Sequence, residues 1–366
     1  MWRGAVWLKS RILWILHIFT GLVTIALFVT RAEDVYKAGL VLPFAILGVA
    51  VLTNVEAGKN RRGRYKRYGI PEIVGSNGMV LVTETMEEID GAIERILSGG
   101  ESLICLNGGD GTVQRALSRL INSFGENEDS IPIIFPLRGG TMNLLADHLG
   151  IKGTTPELLR QAISIARSGK ELPYVEIPTL RVVREMAGVQ EKEYGFFFGN
   201  GALYRFHRIY YRETKGGPLA AAGLFAKCVF GGATKHTHYK DVFGLTPTRV
   251  IVDEFEMPAD LFTVVLVMIL KVVVLTFDAF RDVGDGDFHV LAASVPIFKM
   301  VKSLPKLLWA KGAEPPYPEE EFLNRKAFRV FLECREGYSL DGEIFELTEP
   351  YTLTIDQGPK VKILKP

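Results

Sequence analysis

The sequence predicts an α/β domain with a parallel sheet, then a mostly antiparallel β domain, with an apolar helix in front of both. Three observations predict it. From Val80 to about residue 170, short apolar strands alternate with amphipathic helical segments, and glycines mark the crossings. After about Ser168 the helical period fades and β-rich stretches follow one another to the C-terminus. At the start, the apolar run Ile12 to Thr30 is preceded by Arg3, Lys9 and Arg11 and followed by Arg31. The expected divisions are 1–37, 38–170 and 171–366. A length of 366 residues suits two domains.

Composition narrows the function classes. With 43 Lys+Arg against 42 Asp+Glu the net charge is +1, which argues against nucleic acid as a partner. Hydrophobic residues make up 48% and charged residues 23%, so the chain is not disordered and can build a core. Cys105, Cys228 and Cys334 are far apart, which speaks against a disulfide framework or a structural zinc site and for a reducing compartment. His236 and His238 have no ligand-type neighbours at metal spacing and read as part of an exposed strand or loop.

Taken in order, the Ile12–Thr30 run has the length of a bilayer crossing, and Trp2, Trp7 and Trp14 suit an interface. It is expected to attach the protein to a membrane surface. The segment Ala45 to Leu52 reads as a fully buried parallel strand. Val80–Val82 follows as a strand and Met86–Leu97 as a helix with Ile89, Ile93 and Ile96 on one face. Leu103–Leu106 is a strand, Thr112–Ile121 a helix, Ile131–Pro136 a strand and Met142–Leu149 a helix. The β-rich stretches are Leu180–Val183, Tyr194–Phe198, Arg249–Val252, Phe288–Leu291, Phe328–Leu332 and Tyr351–Ile355. Leu261–Phe277 is also read as strand, since Lys271 interrupts it and β-branched residues dominate.

Three loops carry the chemical signal. Gly108, Gly109, Asp110, Gly111 and Thr112 stand directly after a buried strand and before a helix. Glycines there let the backbone approach a bulky anion, and a helix N-terminus offers free N–H groups to phosphate. Asp110 could orient a ribose hydroxyl, a water or a magnesium ion. Gly139, Gly140, Thr141, Met142 and Asn143 have the same strand–glycine–helix setting. The third loop runs from Asn54 through Gly58 to Arg62 after the strand ending at Thr53. Loops at the C-terminal edge of a parallel sheet are where open α/β folds bind ligands.

Together these loops resemble the diacylglycerol kinase catalytic family, which includes bacterial lipid kinases, ceramide kinases and sphingosine kinases. The resemblance rests on Asn54…Gly58, Gly108–Thr112, Pro136–Asn143 and Asp341-Gly342-Glu343, in that order along the chain. It implies an α/β nucleotide-binding domain with a parallel sheet, followed by a mostly antiparallel β-sandwich domain that completes the active site. It also implies an ATP-dependent, magnesium-assisted kinase that phosphorylates the hydroxyl of a membrane lipid such as diacylglycerol, ceramide or a sphingoid base. It places Asn54, Gly58, Thr85, Gly108, Gly109, Asp110, Gly111, Thr112, Gly140, Thr141 and Asn143 around the nucleotide, with Asp110 also catalytic, and Asp341 with Glu343 at proton transfer. Glu176 would approach magnesium through water, and Asp282 and Asp285 would belong to an acidic loop of the kind that binds a structural magnesium in some bacterial members. Departures from the family pattern are Val55 and Ala57 in the first loop, Gln114-Arg115 after the second, and Leu144 where an Asp is common. An NAD kinase, or a catalytically weak lipid- or nucleotide-binding module, are the alternative readings. ATP is available on the cytoplasmic side, so the catalytic part is expected to face the cytoplasm.

Overall fold

The computed structural model of the chain describes residues 48–365, except residue 62 and the segments 214–217, 235–238, 240, 271–279, 297–298 and 300–316. The expected membrane-attaching run at 12–30 and the pair His236 and His238 therefore lie outside the described residues. Among the described residues, no helix is long and apolar enough to cross a membrane.

Val49, Ala50, Val51 and Leu52 carry no polar side chain and are fully buried, as befits a strand covered on both faces. This strand, β1 (Val49–Asn54), pairs in parallel with β2 (Gly78–Thr83) on one side and β3 (Leu103–Asn107) on the other. Next to β3, again parallel, comes β4 (Ile133–Pro136). The connecting helices are α1 (Ile70–Val74), α2 (Met86–Gly99), α3 (Asp110–Ser123), α4 (Leu144–His148) and α5 (Thr155–Arg167). Helix α2 packs beside α3, and α1 beside α5, so both faces of the sheet are covered. Ile89, Ile93 and Ile96 of α2 are fully buried, following the spacing read from the sequence.

The remaining strands are β5 (Tyr174–Met186), β6 (Val189–Gly195), β7 (Phe197–Gly201), β8 (Thr246–Val252), β9 (Phe255–Glu256), β10 (Leu261–Phe262), β11 (Val264–Met268) and β12 (Phe288–Ala293). They are followed by β13 (Phe322–Ala327), β14 (Arg329–Cys334), β15 (Tyr338–Leu340), β16 (Glu343–Phe345) and β17 (Tyr351–Leu364). Two further helices, α6 (Ala202–Glu213) and α7 (Pro218–Thr234), follow β7.

Strand β17 joins the two halves. It meets β4 in parallel at Ile363–Ile134, and runs antiparallel to β5 and β14 along the rest of its length. The parallel sheet thus continues into an eleven-stranded mixed sheet, ordered β10-β8-β14-β17-β4-β3-β1-β2 with β5, β6 and β9 alongside. A second, six-stranded sheet is ordered β13-β12-β11-β7-β15-β16 and is antiparallel throughout. Leu180, Val250, Leu332, Leu353 and Ile355 of the first sheet share a core with Phe198, Val265, Val290 and Tyr338 of the second. That core makes the sandwich, while α6 and α7 cover the outer face of the smaller sheet through Tyr210, Leu224, Leu291 and Ala293.

The mostly antiparallel second half also holds two helices, α6 and α7, that the sequence reading did not identify. In α6, tyrosines, Phe206 and Ile209 mimic a strand composition, yet Tyr204, His207, Arg208 and Tyr211 line one helix face. In α7, Ala, Gly, Leu and Phe alternate without a polar face, so no helical period is visible. Tyr194–Phe198 is also two strands rather than one, broken at Phe196. Leu261–Phe277 holds the strands β10 and β11, and 271–279 lie outside the described residues.

Candidate active site

The three glycine loops meet at the C-terminal edge of the parallel sheet, because β1, β3 and β4 are neighbours and all point there. Their contacts are close enough to exclude side chains. A methyl group on Gly140 would overlap the Cα of Gly109, and one on Gly58 would overlap the Thr141 hydroxyl. The Lys59 amide donates to the Gly139 carbonyl at 2.9 Å, joining first loop to third. Asn54 Nδ2 donates to Thr112 Oγ1 at 3.0 Å, joining first loop to second, while Asn54 Oδ1 accepts from the Glu56 amide.

Two asparagines that the sequence reading passed over hold this junction. Asn60, fully buried, donates to the carbonyls of Asn54 (2.7 Å) and Asn107 (3.0 Å), tying the ends of β1 and β3 together. Asn107, also fully buried, directs its amide towards Thr53 Oγ1. Both lie in segments dominated by other signals, a basic run and an apolar strand end. A buried Asn at the end of a parallel strand was the signal available.

Asp110 is the first residue of α3, whose N-cap Gly109 brings no side chain to the free amides. Its carboxylate accepts from the amides of Asn143 (3.0 Å) and Leu144 (2.6 Å). Asp110 therefore staples the third loop to the second, and Leu144, at the position where an acid is common, serves through its N–H. Asn143, with a left-handed φ of 57°, closes its own loop on Gly140 by donating to its carbonyl and accepting from its amide. Thr85 is the N-cap of α2 and accepts from the Glu88 amide. Gln114 and Ser118 of α3 bond to the backbone of Tyr194 in β6, so Gln114 fastens the sandwich to the α/β layer.

The second half contributes the turn between β15 and β16. Asp341 and Gly342 have φ of 48° and 87°, the pair of positive values that a tight two-residue hairpin turn needs. Asp341 is 5% exposed, and its carboxylate accepts from the amides of Phe196 (3.0 Å) and Phe197 (2.8 Å) at the break between β6 and β7. The turn lays Glu343 directly on Gly111 of α3, where any side chain would overlap its carboxylate. Glu343 accepts no hydrogen bond among the described residues. Helix and turn thus bring Asp110, Asp341 and Glu343 to one corner.

Their electrostatics are uncompensated. Burial pushes Asp110 up to about 6, against the lowering effect of the Leu144 and Asn143 amides. Burial, with a smaller contribution from Glu193, pushes Glu343 up to about 7 although Arg115 opposes it. Burial and the Asp110 charge hold Asp341 well above the usual carboxylate range. None of the three forms an ion pair with Lys or Arg among the described residues.

Residues 48–173 match the sequence profile of the diacylglycerol kinase catalytic domain. Among solved structures, a candidate diacylglycerol kinase from Bacillus anthracis str. Sterne superposes with a TM-score of 0.59 at 15% identity, covering 87% of this chain and 97% of that one. A second structure, described as a diacylglycerol kinase of the same organism, gives 0.52 at 16% identity over the same shares. At such identity these likenesses establish the fold, including the sandwich that the profile does not reach. A search of curated proteins finds no sequence match.

The other expected acids lie elsewhere in the fold. Glu176 is exposed on β5, opposite Lys362 of β17. Asp282 pairs with Lys326 at 2.6 Å and lies 3.6 Å from His289, while Asp285 is exposed in the loop that follows. Among the described residues no group of three or more His, Cys, Asp or Glu is arranged to hold a metal ion.

Proposed function

We propose that the kinase domain and its sandwich form an ATP-dependent lipid kinase that phosphorylates the hydroxyl of a membrane lipid. The observation that carries this reading is Glu343. Its free carboxylate, raised to about 7, rests on the first turn of the helix that follows the phosphate-type loop. A base there is within reach of both a terminal phosphate and an incoming hydroxyl.

The glycine loops and the N-terminus of α3 bind and align the phosphates through backbone N–H groups. Asn54 and Thr112 keep the first and second loops in register, and Asp110 holds the third. Asp341 fixes the turn by its bonds to Phe196 and Phe197, which leaves Glu343 to accept the acceptor proton. The shared assignment of Asp341 and Glu343 to proton transfer is thereby divided: one positions, the other reacts. The residues that would hold magnesium brought in with the nucleotide are Asp110 and Glu343, although the described residues form no metal cluster of their own. When bound, magnesium neutralises phosphate charge. Asp282 is less suited, being already paired with Lys326.

The lipid acceptor draws its support from the family and from the apolar run at 12–30, which we propose tethers the enzyme to a membrane with its catalytic part on the cytoplasmic side. The test is transfer from γ-labelled ATP to a panel of diacylglycerol, ceramide, sphingosine and NAD. It is run on the full chain and on a form beginning at residue 38. Label in an extractable phospholipid from both forms, with only the shortened one leaving the membrane fraction, is expected. Label in NADP alone, or in no acceptor, would contradict the reading.

A further inference from the structure

Helix α6 lies along the β15–β16 hairpin, and one of its faces is matched to it residue by residue. The Tyr204 ring packs on Gly337, where a Cβ would come within 2.6 Å of the ring. His207 Nδ1 lies 2.8 Å from Ser339 Oγ. Arg208 pairs with Glu346 at 3.1 Å. Tyr211, one further turn along the same face, places its hydroxyl against Gly342, 2.9 Å from where a Cβ would stand. These contacts carry Tyr211 to the tip of the turn that presents Glu343.

Tyr211 differs from its neighbours on that face. His207 and Arg208 have partners in the hairpin, but the Tyr211 hydroxyl has no hydrogen-bond partner among the described residues. Its residue is 55% exposed, and its ring meets that of Tyr210 edge-on. Burial of its hydroxyl end and the charges of Glu343 and Asp110 push its ionisation up, against Arg61, so the phenol keeps its proton. The plain alternative is a surface tyrosine that closes the hairpin by ring packing alone.

We infer that Tyr211 is an acceptor-binding residue: its hydroxyl donates a hydrogen bond to an oxygen at the polar end of the alcohol whose proton goes to Glu343. The geometry separates it from the nucleotide. Phosphate contacts come from the glycine loops of the α/β layer, whereas Tyr211 approaches Glu343 from the sandwich side. Gly342 serves this arrangement twice, by its positive φ and by the space it leaves for the phenol.

This inference rests on the kinase reading, and the experiment separates the two. Initial rates of wild type, Tyr211→Phe and Tyr211→Ala are measured in mixed micelles of dioctanoylglycerol, with acceptor and ATP varied independently. Removal of one neutral hydrogen bond should lower kcat/KM for the acceptor by about three- to tenfold in Tyr211→Phe. The KM for ATP and the slow hydrolysis of ATP without acceptor should not change. Equal losses on the ATP side would make Tyr211 structural, and an unchanged Tyr211→Phe beside an active wild type would overturn its role alone. A wild type that transfers phosphate to no alcohol would overturn the kinase reading and this one with it.

Discussion

At the scale of single residues, the corner is built from three carboxyls with different duties. Asp110 and Asp341 spend their oxygens on backbone amides, and only Glu343 is left without a hydrogen bond. A half-buried carboxyl without a hydrogen-bond partner is pushed towards its neutral form by the fold. Its folded ionisation near 7 lies above the ordinary value, so the stability it contributes is full at acid pH and is lost as pH rises through about 7. Glu343→Gln cannot ionise. Its melting temperature should exceed that of wild type by a margin that grows between about pH 5 and pH 8, in protein free of nucleotide and metal. A margin that shrinks with pH would show that Glu343 is stabilised, not strained, as an anion. The Asp341-Gly342-Glu343 motif was legible in the sequence, but the split of duties was not, because it depends on which carboxylate meets Phe196 and Phe197 across the fold.

At the scale of elements, the strand–glycine–helix repeats announced the parallel sheet and its binding edge. Period and glycine are local signals, and β1, β3, α2 and α3 obey them. What the sequence hid were contacts between loops. Asn60 spans from β1 to β3, and Asp110 reaches from the second loop to the third. Helices α6 and α7 were hidden for another reason: aromatic and glycine-rich compositions conceal a helix that gains its stability from packing on a sheet. The closeness of the second and third loops gives a sharp prediction. In Gly140→Ala the added methyl meets the backbone of Gly109, so one loop must move. A displacement of about 1 Å in a phosphate-aligning loop lowers turnover by about 100-fold, and steady-state kinetics on the folded variant should show it. Retention of wild-type rates would mean that these loops do not align the phosphates.

At the scale of the whole molecule, the kinase domain does not end where its sequence profile ends. Strand β17 runs from the sandwich back to β4, and β6 is fastened to α3 through Gln114 and Ser118, so the hairpin tip is held against the first turn of α3. That long-range closure places Glu343 on Gly111, and it is the contact on which the proposed phosphoryl transfer depends. The most direct measurement is the rate of label transfer from γ-labelled ATP to the acceptor lipid, followed across pH for wild type and Glu343→Gln. The wild-type rate should rise as pH passes through about 7, where Glu343 loses its proton, and Glu343→Gln should be slower by about 100-fold or more with that rise abolished. A Glu343→Gln enzyme that keeps the wild-type rate and the same pH dependence would contradict the account.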